Sequence, residues 1–146
     1  GHESYVLSAA ACLRLLLGGL PEAHKSLLRC GGFHVLVWLF LEVRDPSVQE
    51  QALGAFLNLS SGAQSIRTAL IEMDLIWHLV ALLHAPPSIP HSATTALGCI
   101  SNLIVGNSIA KQRLLLCNAC PIVLLHLQQT DSHELVRGDS FVTRVC

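Results

Sequence analysis

Cysteine and histidine are the residues of this chain best suited to chemistry, with six and eight copies among 146 residues. Cys117 and Cys120 have the C-x2-C spacing of half a zinc site, but no second C-x2-C pair completes a four-thiolate site. His133 and Glu134 begin an H-E-x-x-H pattern in which Arg137 replaces the second histidine. We therefore predict no metal site and no cofactor.

Other catalytic patterns are missing from the sequence as well. It contains no G-x-S-x-G nucleophile elbow and no glycine-rich phosphate loop. Its carboxylates are few and dispersed, which argues against a paired general acid and base. Because an activity must be argued from a site, we predict that the chain is not an enzyme and has no catalytic residue.

Composition and charge narrow the class of partner. Hydrophobic residues make up 51% of the chain and charged residues 13%, with a formal net charge of −1 and a mean hydropathy of +0.52. Such a chain is too apolar to be disordered, and it lacks the basic field that attracts nucleic acid. The longest apolar stretch, residues 31–41, is well short of the roughly 18 to 20 residues that a membrane span needs. We expect neither a nucleic-acid partner nor insertion into a membrane.

An internal repeat organises the chain. The pattern A-L-G-x3-N-L of residues 52–59 recurs at residues 96–103, and A-A-x3-R-L at residues 9–15 fits the same register one period earlier. Repeats of this length are typical of solenoids, in which each unit buries its apolar face against its neighbours. We predict a partial unit at 1–18, units at about 19–61 and 62–105, and a partial unit at 106–146.

The apolar spacing within each unit is helical. Steps of three and four residues, as at Ile76, Leu79, Val80 and Leu83, keep one face apolar. Glycine and proline interrupt these runs where helices should end. We predict an all-α fold with ten helices, at 3–17, 22–30, 33–43, 47–60, 64–72, 75–84, 91–105, 108–117, 120–129 and 133–145.

Residues 47–87 and 93–129 each resemble one unit of the armadillo repeat, and the likeness extends over essentially the whole chain. In that family a unit has a short first helix, a second helix and a longer third helix that lines a concave groove. The resemblance implies a right-handed superhelical solenoid that binds a peptide or another protein and performs no chemistry. On this template the third helices are 3–17, 47–60, 91–105 and 133–145.

The resemblance also implies which residues bind the partner. Many peptide-binding members carry an asparagine on each third helix that hydrogen-bonds the main chain of the ligand. Asn58 and Asn102 stand at that position, and Arg14 stands there in the first copy. Importin-like members carry a tryptophan one turn earlier, where this chain has Ala10, Gly54 and Gly98, so an importin-like receptor is not expected. The predicted partner-binding set is Arg14, Gln51, Gly54, Asn58, Thr95, Gly98 and Asn102.

The repeat register gives the cysteines and histidines a structural interpretation. Cys12, for example, is in register with Phe56 and Ile100. We therefore predict buried, free thiols at five positions, namely Cys12, Cys30, Cys99, Cys117 and Cys120, and histidines at the surface or at helix ends. Free thiols and the absence of a secretory signal favour the cytoplasm or the nucleus.

A structural role remains open beside partner binding. An interior piece of a solenoid exposes apolar faces at both ends, so the chain could be part of a larger scaffold or form a homo-oligomer through its end repeats. The chain begins with Gly1-His2 rather than methionine, and we expect it to be a segment of a longer protein.

Overall fold

The structure, a computed structural model, describes residues 2–86 and 91–136, with side chains described for 4–86 and 91–129. Within these ranges every regular element is an α-helix, as the sequence predicts. The nine helices of the described part are α1 (His2–Leu16), α2 (Pro21–Arg29), α3 (Gly32–Leu41), α4 (Pro46–Ser60), α5 (Gln64–Glu72), α6 (Leu75–His84), α7 (Ser92–Ile104), α8 (Ser108–Leu116) and α9 (Ala119–Val136).

Side-chain caps and residues with a left-handed backbone conformation set the helix boundaries. The Asp45 side chain accepts a hydrogen bond from the Ser47 N–H at 2.9 Å, and Asn107 caps α8 in the same way through the Ala110 N–H. Between the first and second helix of each unit, one residue has positive φ: Gly31 at 74°, Asp74 at 60° and Asn118 at 52°. These equivalent turns show the repeat in the backbone itself, and asparagine and aspartate tolerate this conformation better than most side chains.

The core follows the repeat register. The third helices α1, α4 and α7 lie side by side, with α3 packed on α4 and α6 packed on α7. Equivalent leucines, Leu59 and Leu103, are fully buried. Phe40 of α3 meets Phe56 of α4 edge to face, with ring centroids 6.2 Å apart. The third helices therefore form one layer, supported by the first and second helices.

The predicted start of the last helix, at residue 133, is wrong. The sequence predicts a break between residues 129 and 133, but α9 continues without interruption from Ala119 to Val136. Residues 130–132 contain neither glycine nor proline, so nothing there stops the helix. The rest of the predicted segment, residues 137–145, lies outside the described residues.

The prediction of buried cysteines is only partly correct. Cys99 is buried and Cys117 is half-buried, whereas Cys12, Cys30 and Cys120 are exposed. Cys12 and Cys120 lie on the end helices α1 and α9, which lack a neighbour on one side in the described structure. All five thiols are free, and the described residues contain no group of three or more potential metal ligands.

No described helix is by itself both long and apolar enough to cross a membrane. Helices α8 and α9 pass that test only as a pair, and their axes are bent by 85° relative to each other.

Candidate peptide-binding groove

All seven predicted partner-binding residues lie on the layer of third helices. Arg14 is on α1, Gln51, Gly54 and Asn58 are on α4, and Thr95, Gly98 and Asn102 are on α7. In an α-helix, residues three, four and seven positions apart share a face. Gln51, Gly54 and Asn58 therefore form one stripe on α4, and their counterparts on α7 form a second.

Four of the predicted residues meet at the seam between α1 and α4. The Arg14 Nε donates a hydrogen bond to the Gln51 Oε1 at 2.5 Å, and the Asn58 Nδ2 donates to the Arg14 main-chain oxygen at 2.9 Å. A Cβ on Gly54 would lie 2.5 Å from the Arg14 Cδ. The absence of a side chain at Gly54 thus makes room for the aliphatic stem of Arg14, which crosses from one helix to the next.

The seam between α4 and α7 repeats this arrangement with different partners. The Asn102 Nδ2 donates to the Ser60 Oγ at 3.1 Å, and the buried Ser60 hydroxyl donates to the Leu57 oxygen at 2.7 Å. Gly98 lies beside Leu57, whose Cδ1 would be 3.3 Å from a Cβ at that position. Both asparagines therefore reach back to the preceding third helix, and both glycines accommodate a side chain from it.

Thr95 differs from its counterpart Gln51. The Thr95 Oγ1 donates a hydrogen bond at 3.1 Å to the main-chain oxygen of His91, the N-cap residue of the same helix. Gln51 instead accepts a hydrogen bond from Arg14 on the neighbouring helix. A threonine that bonds the carbonyl four residues earlier is common in helices. The structure thus places Thr95 on the same face, without a hydrogen bond that joins two repeats.

A polar cluster that the sequence did not predict lies beneath the seam between α4 and α7. Ser60 is fully buried, and the Cys99 Sγ donates to the Phe56 oxygen at 3.6 Å. Burial raises the pKa of the Cys99 thiol to about 12, an effect that a hydrogen bond with Ser60 partly opposes. The available signal was Ser60 itself, a polar residue in a register position that the other copies fill with Leu16 and Ile104.

Charge on the layer of third helices is sparse. Among the described side chains of α1, α4 and α7, Glu50 is the only carboxylate and Arg14 the only guanidinium or ammonium group. Arg14 is held by Gln51. The surface is therefore close to neutral and rich in amides, hydroxyls and small residues.

Comparison with known proteins agrees with this architecture. The sequence model of the Armadillo/beta-catenin-like repeat matches residues 23–61. A designed armadillo repeat protein of known structure superposes with a TM-score of 0.75 at 25% identity, over 84% of this chain and 50% of that chain. The chain belongs to the armadillo-repeat family.

Two further comparisons add a natural relative and a designed one. The splicing regulator ARVCF of Homo sapiens is 31% identical over an alignment 138 positions long, and that alignment covers 84% of this chain. This armadillo segment spans only 14% of the length of that relative. A designed armadillo repeat protein in complex with the peptide (KR)4 superposes with a TM-score of 0.77 at 25% identity, over 86% of this chain and 52% of that one.

Proposed function

We propose that this armadillo segment binds an extended segment of a partner protein across the third helices α1, α4 and α7. The observation that carries the proposal is the common register of Asn58 and Asn102, which both span a seam between adjacent third helices. Designed armadillo proteins have been made for modular peptide recognition, and one of them holds the peptide (KR)4. These relatives support a peptide-binding use of this fold.

The side-chain amides are suited to a main-chain ligand. An amide offers two N–H donors and an oxygen acceptor, so it can bracket a peptide unit. The hydrogen bond from each Asn Nδ2 to the preceding helix occupies one donor and fixes the orientation of the group. The second N–H and the Oδ1 then serve the ligand at a small cost in side-chain entropy.

Several repeats must act together, because one neutral hydrogen bond contributes only about 1 kcal/mol net. Half-buried apolar side chains between the helices, such as Leu13 and Leu57, add contact area beside the amides. The near-neutral surface favours a partner segment of low net charge over a strongly basic or acidic one.

The test begins with a random peptide library displayed on phage and selected on the 146-residue chain. Binding of a selected peptide is then compared with a variant carrying Asn58→Ala and Asn102→Ala. If each amide contributes about 1 kcal/mol, the double variant should bind roughly 30-fold more weakly, since about 1.4 kcal/mol corresponds to tenfold.

Gln112→Ala is the matched control, because it removes an exposed amide from α8, which is a first helix outside the layer. It should bind the selected peptide as the unchanged chain does. Circular dichroism checks that each variant is folded. Selected peptides that bind the double variant and the unchanged chain equally would show that the groove assignment is incorrect.

A further inference from the structure

Arg14 carries an unpaired charge on the layer of third helices. Its side chain is half-buried, and it forms no ion pair with any described carboxylate. By contrast Arg113, which is also half-buried, lies 3.7 Å from the carboxylate of Asp74. A partly buried charge without a partner is costly, because water solvates it incompletely. A ligand of opposite charge would supply the missing partner.

Helix α4 holds the guanidinium of Arg14 in place. The Arg14 Nε donates a hydrogen bond to the Gln51 Oε1, and the Arg14 stem lies over Gly54, where a Cβ would approach the Arg14 Cδ to 2.5 Å. Since Gln51 and Gly54 are both on α4, the guanidinium lies between two described helices and not at an end of the solenoid. Contacts within the described repeats therefore set its position.

The two terminal nitrogens of Arg14, Nη1 and Nη2, remain available. Neither has a hydrogen bond within the described residues, because the side-chain bond of Arg14 runs through Nε. Both are open to solvent, since the only buried side-chain nitrogen or oxygen without a partner in the described structure is the Nε of Arg67. The guanidinium thus presents a planar fork of N–H donors whose shape matches a carboxylate.

We propose that Arg14 binds the carboxylate of an aspartate or glutamate in the partner segment, beside the peptide unit that Asn58 brackets. This inference rests on the proposed function, because it takes the groove across α1, α4 and α7 as the binding surface. Gly54, over which the Arg14 stem lies, is one helical turn before Asn58, a distance of about 5.4 Å along the axis of α4. A side chain next to the bracketed peptide unit spans that distance.

The charges of the layer favour one carboxylate at this one place. Arg14 is the only guanidinium or ammonium group among the described side chains of α1, α4 and α7. It matches the single charge of a carboxylate, whereas a phosphate group carries nearly two charges at neutral pH. At the next seam the place beside Gly98 is taken by the apolar tip of Leu57. The partner segment should therefore carry an acidic residue at the first seam and an uncharged one at the second, so its net charge stays low.

The test uses peptides selected from the random library on the unchanged chain. These should share an Asp or Glu at one common position. Replacing that residue by Asn or Gln should weaken binding to the unchanged chain roughly 10- to 100-fold, the range expected for a hydrogen-bonded charge pair. The same peptide change should have little effect on binding to an Arg14→Gln chain, because the opposite charge is already missing. Isothermal titration calorimetry measures the four affinities.

The four affinities separate ligand binding from a structural role of Arg14. Loss of the contacts with Gln51 and Gly54 alone would weaken the acidic and the amide peptide equally, so only a non-additive result supports the pair. Arg29→Gln is the matched control, because it removes an exposed arginine from α2, outside the layer. It should leave the effect of the peptide change as it is in the unchanged chain. Arg14→Lys keeps the charge without the fork and should recover only part of the affinity.

Additive effects of the two replacements overturn the inference, as does a set of selected peptides without a common acidic position. Tighter binding of phosphoserine than of glutamate at that position would overturn the choice of a carboxylate. A peptide that depends on Asn58 and Asn102 but not on its carboxylate contradicts the role of Arg14 alone. If the double asparagine variant binds as tightly as the unchanged chain, or if no peptide is selected, the proposed groove fails and this inference fails with it.

Discussion

The side-chain Nδ2 of Asn58 donates a hydrogen bond at 2.9 Å to the main-chain oxygen of Arg14, which lies 44 positions earlier in the chain. Asn102 makes the equivalent reach of 42 positions to the Ser60 hydroxyl. The residues that the family resemblance assigns to ligand binding are thus also connectors between repeats. One side chain per seam orients itself on the preceding helix and still offers polar atoms for a ligand.

Because each asparagine connects two repeats, its replacement should lower the stability of the fold as well as the affinity for a ligand. Asn58→Ala and Asn102→Ala should each lower the free energy of unfolding by about 0.5–1.5 kcal/mol, because each removes a partly buried hydrogen bond. The two losses should be roughly additive, since the amides have no shared partner. Urea unfolding followed by circular dichroism measures them. The exposed control Gln112→Ala should change the free energy of unfolding by less than about 0.5 kcal/mol, and equal effects of all three substitutions would contradict the connector role.

The sequence alone predicted the all-α repeat fold and the helices that carry the site, for identifiable reasons. Apolar steps of three and four define the helices, and the 44-residue register aligns Asn58 with Asn102. Helix α5 was predicted with both ends correct, and the Ser61-Gly62 break lies just before it.

The contacts of the site could not be predicted in the same way. That the Arg14 stem fills the space beside Gly54 depends on the rotamer of a long side chain from another repeat. The prediction that histidines lie at the surface or at helix ends is wrong for His24, which is buried. Its burial depends on a hydrogen bond to the Leu17 oxygen and on the missing side chain at Gly62, and the repeat pattern predicts neither contact. Register shows which positions are equivalent, but packing decides what each position contacts.

Gly62→Ala should destabilise the fold through His24. The ring is buried, and its Nε2 donates to the Leu17 oxygen at 2.7 Å. A Cβ on Gly62 would lie 2.6 Å from the Nδ1 of the same ring and 3.0 Å from the Leu59 oxygen. The cost should be about 1–3 kcal/mol, as for other overpacked sites.

A double-mutant cycle with His24→Ala isolates that cost, because Gly62→Ala should be much less destabilising once the ring is absent. Gly98→Ala is the matched control, because it makes the same glycine-to-alanine change at a less crowded position. It meets only the flexible tip of Leu57 and gains up to about 1 kcal/mol of helix propensity, so it should be neutral or stabilising. Thermal unfolding distinguishes these variants, and an equal penalty at Gly62 in both backgrounds would exclude the contact with His24.

The cysteines should differ sharply in reactivity. Burial raises the pKa of Cys99 to about 12, so its thiol stays protonated and shielded, whereas Cys12, Cys30 and Cys120 are exposed. Iodoacetamide at pH 8 and low protein concentration should label the exposed thiols and spare Cys99 until urea unfolds the chain. Mass spectrometry of the digested peptides gives each rate, and labelling of Cys99 at the rate of Cys12 would contradict its burial.

Cys99 also contributes a pH dependence of stability. An exposed thiol has an ordinary pKa of 9.0, whereas burial raises the pKa of the folded Cys99 thiol to about 12. The folded state therefore binds more protons in this window, and its stability should fall as the pH rises from about 9 towards 12. The fall should be smaller in Cys99→Ala, which removes the titrating thiol and places at position 99 the residue found at the equivalent Ala55. Urea unfolding at several alkaline pH values compares the two chains, and parallel curves would rule out the contribution.

The peptide (KR)4, which a designed armadillo relative holds, should bind this chain poorly. A strongly basic ligand needs several carboxylates, but Glu50 is the only one among the described side chains of α1, α4 and α7, and Arg14 offsets it. Fluorescence anisotropy at low ionic strength, where charge attraction is least screened, should show no saturable binding. The designed relative serves as the positive control.

Adding carboxylates at exposed positions of α7, with Thr94→Glu and Ser101→Glu, should increase the affinity for (KR)4. Tight binding by the unchanged chain that Glu50→Gln removes would instead show that a single carboxylate suffices to recognise a basic segment.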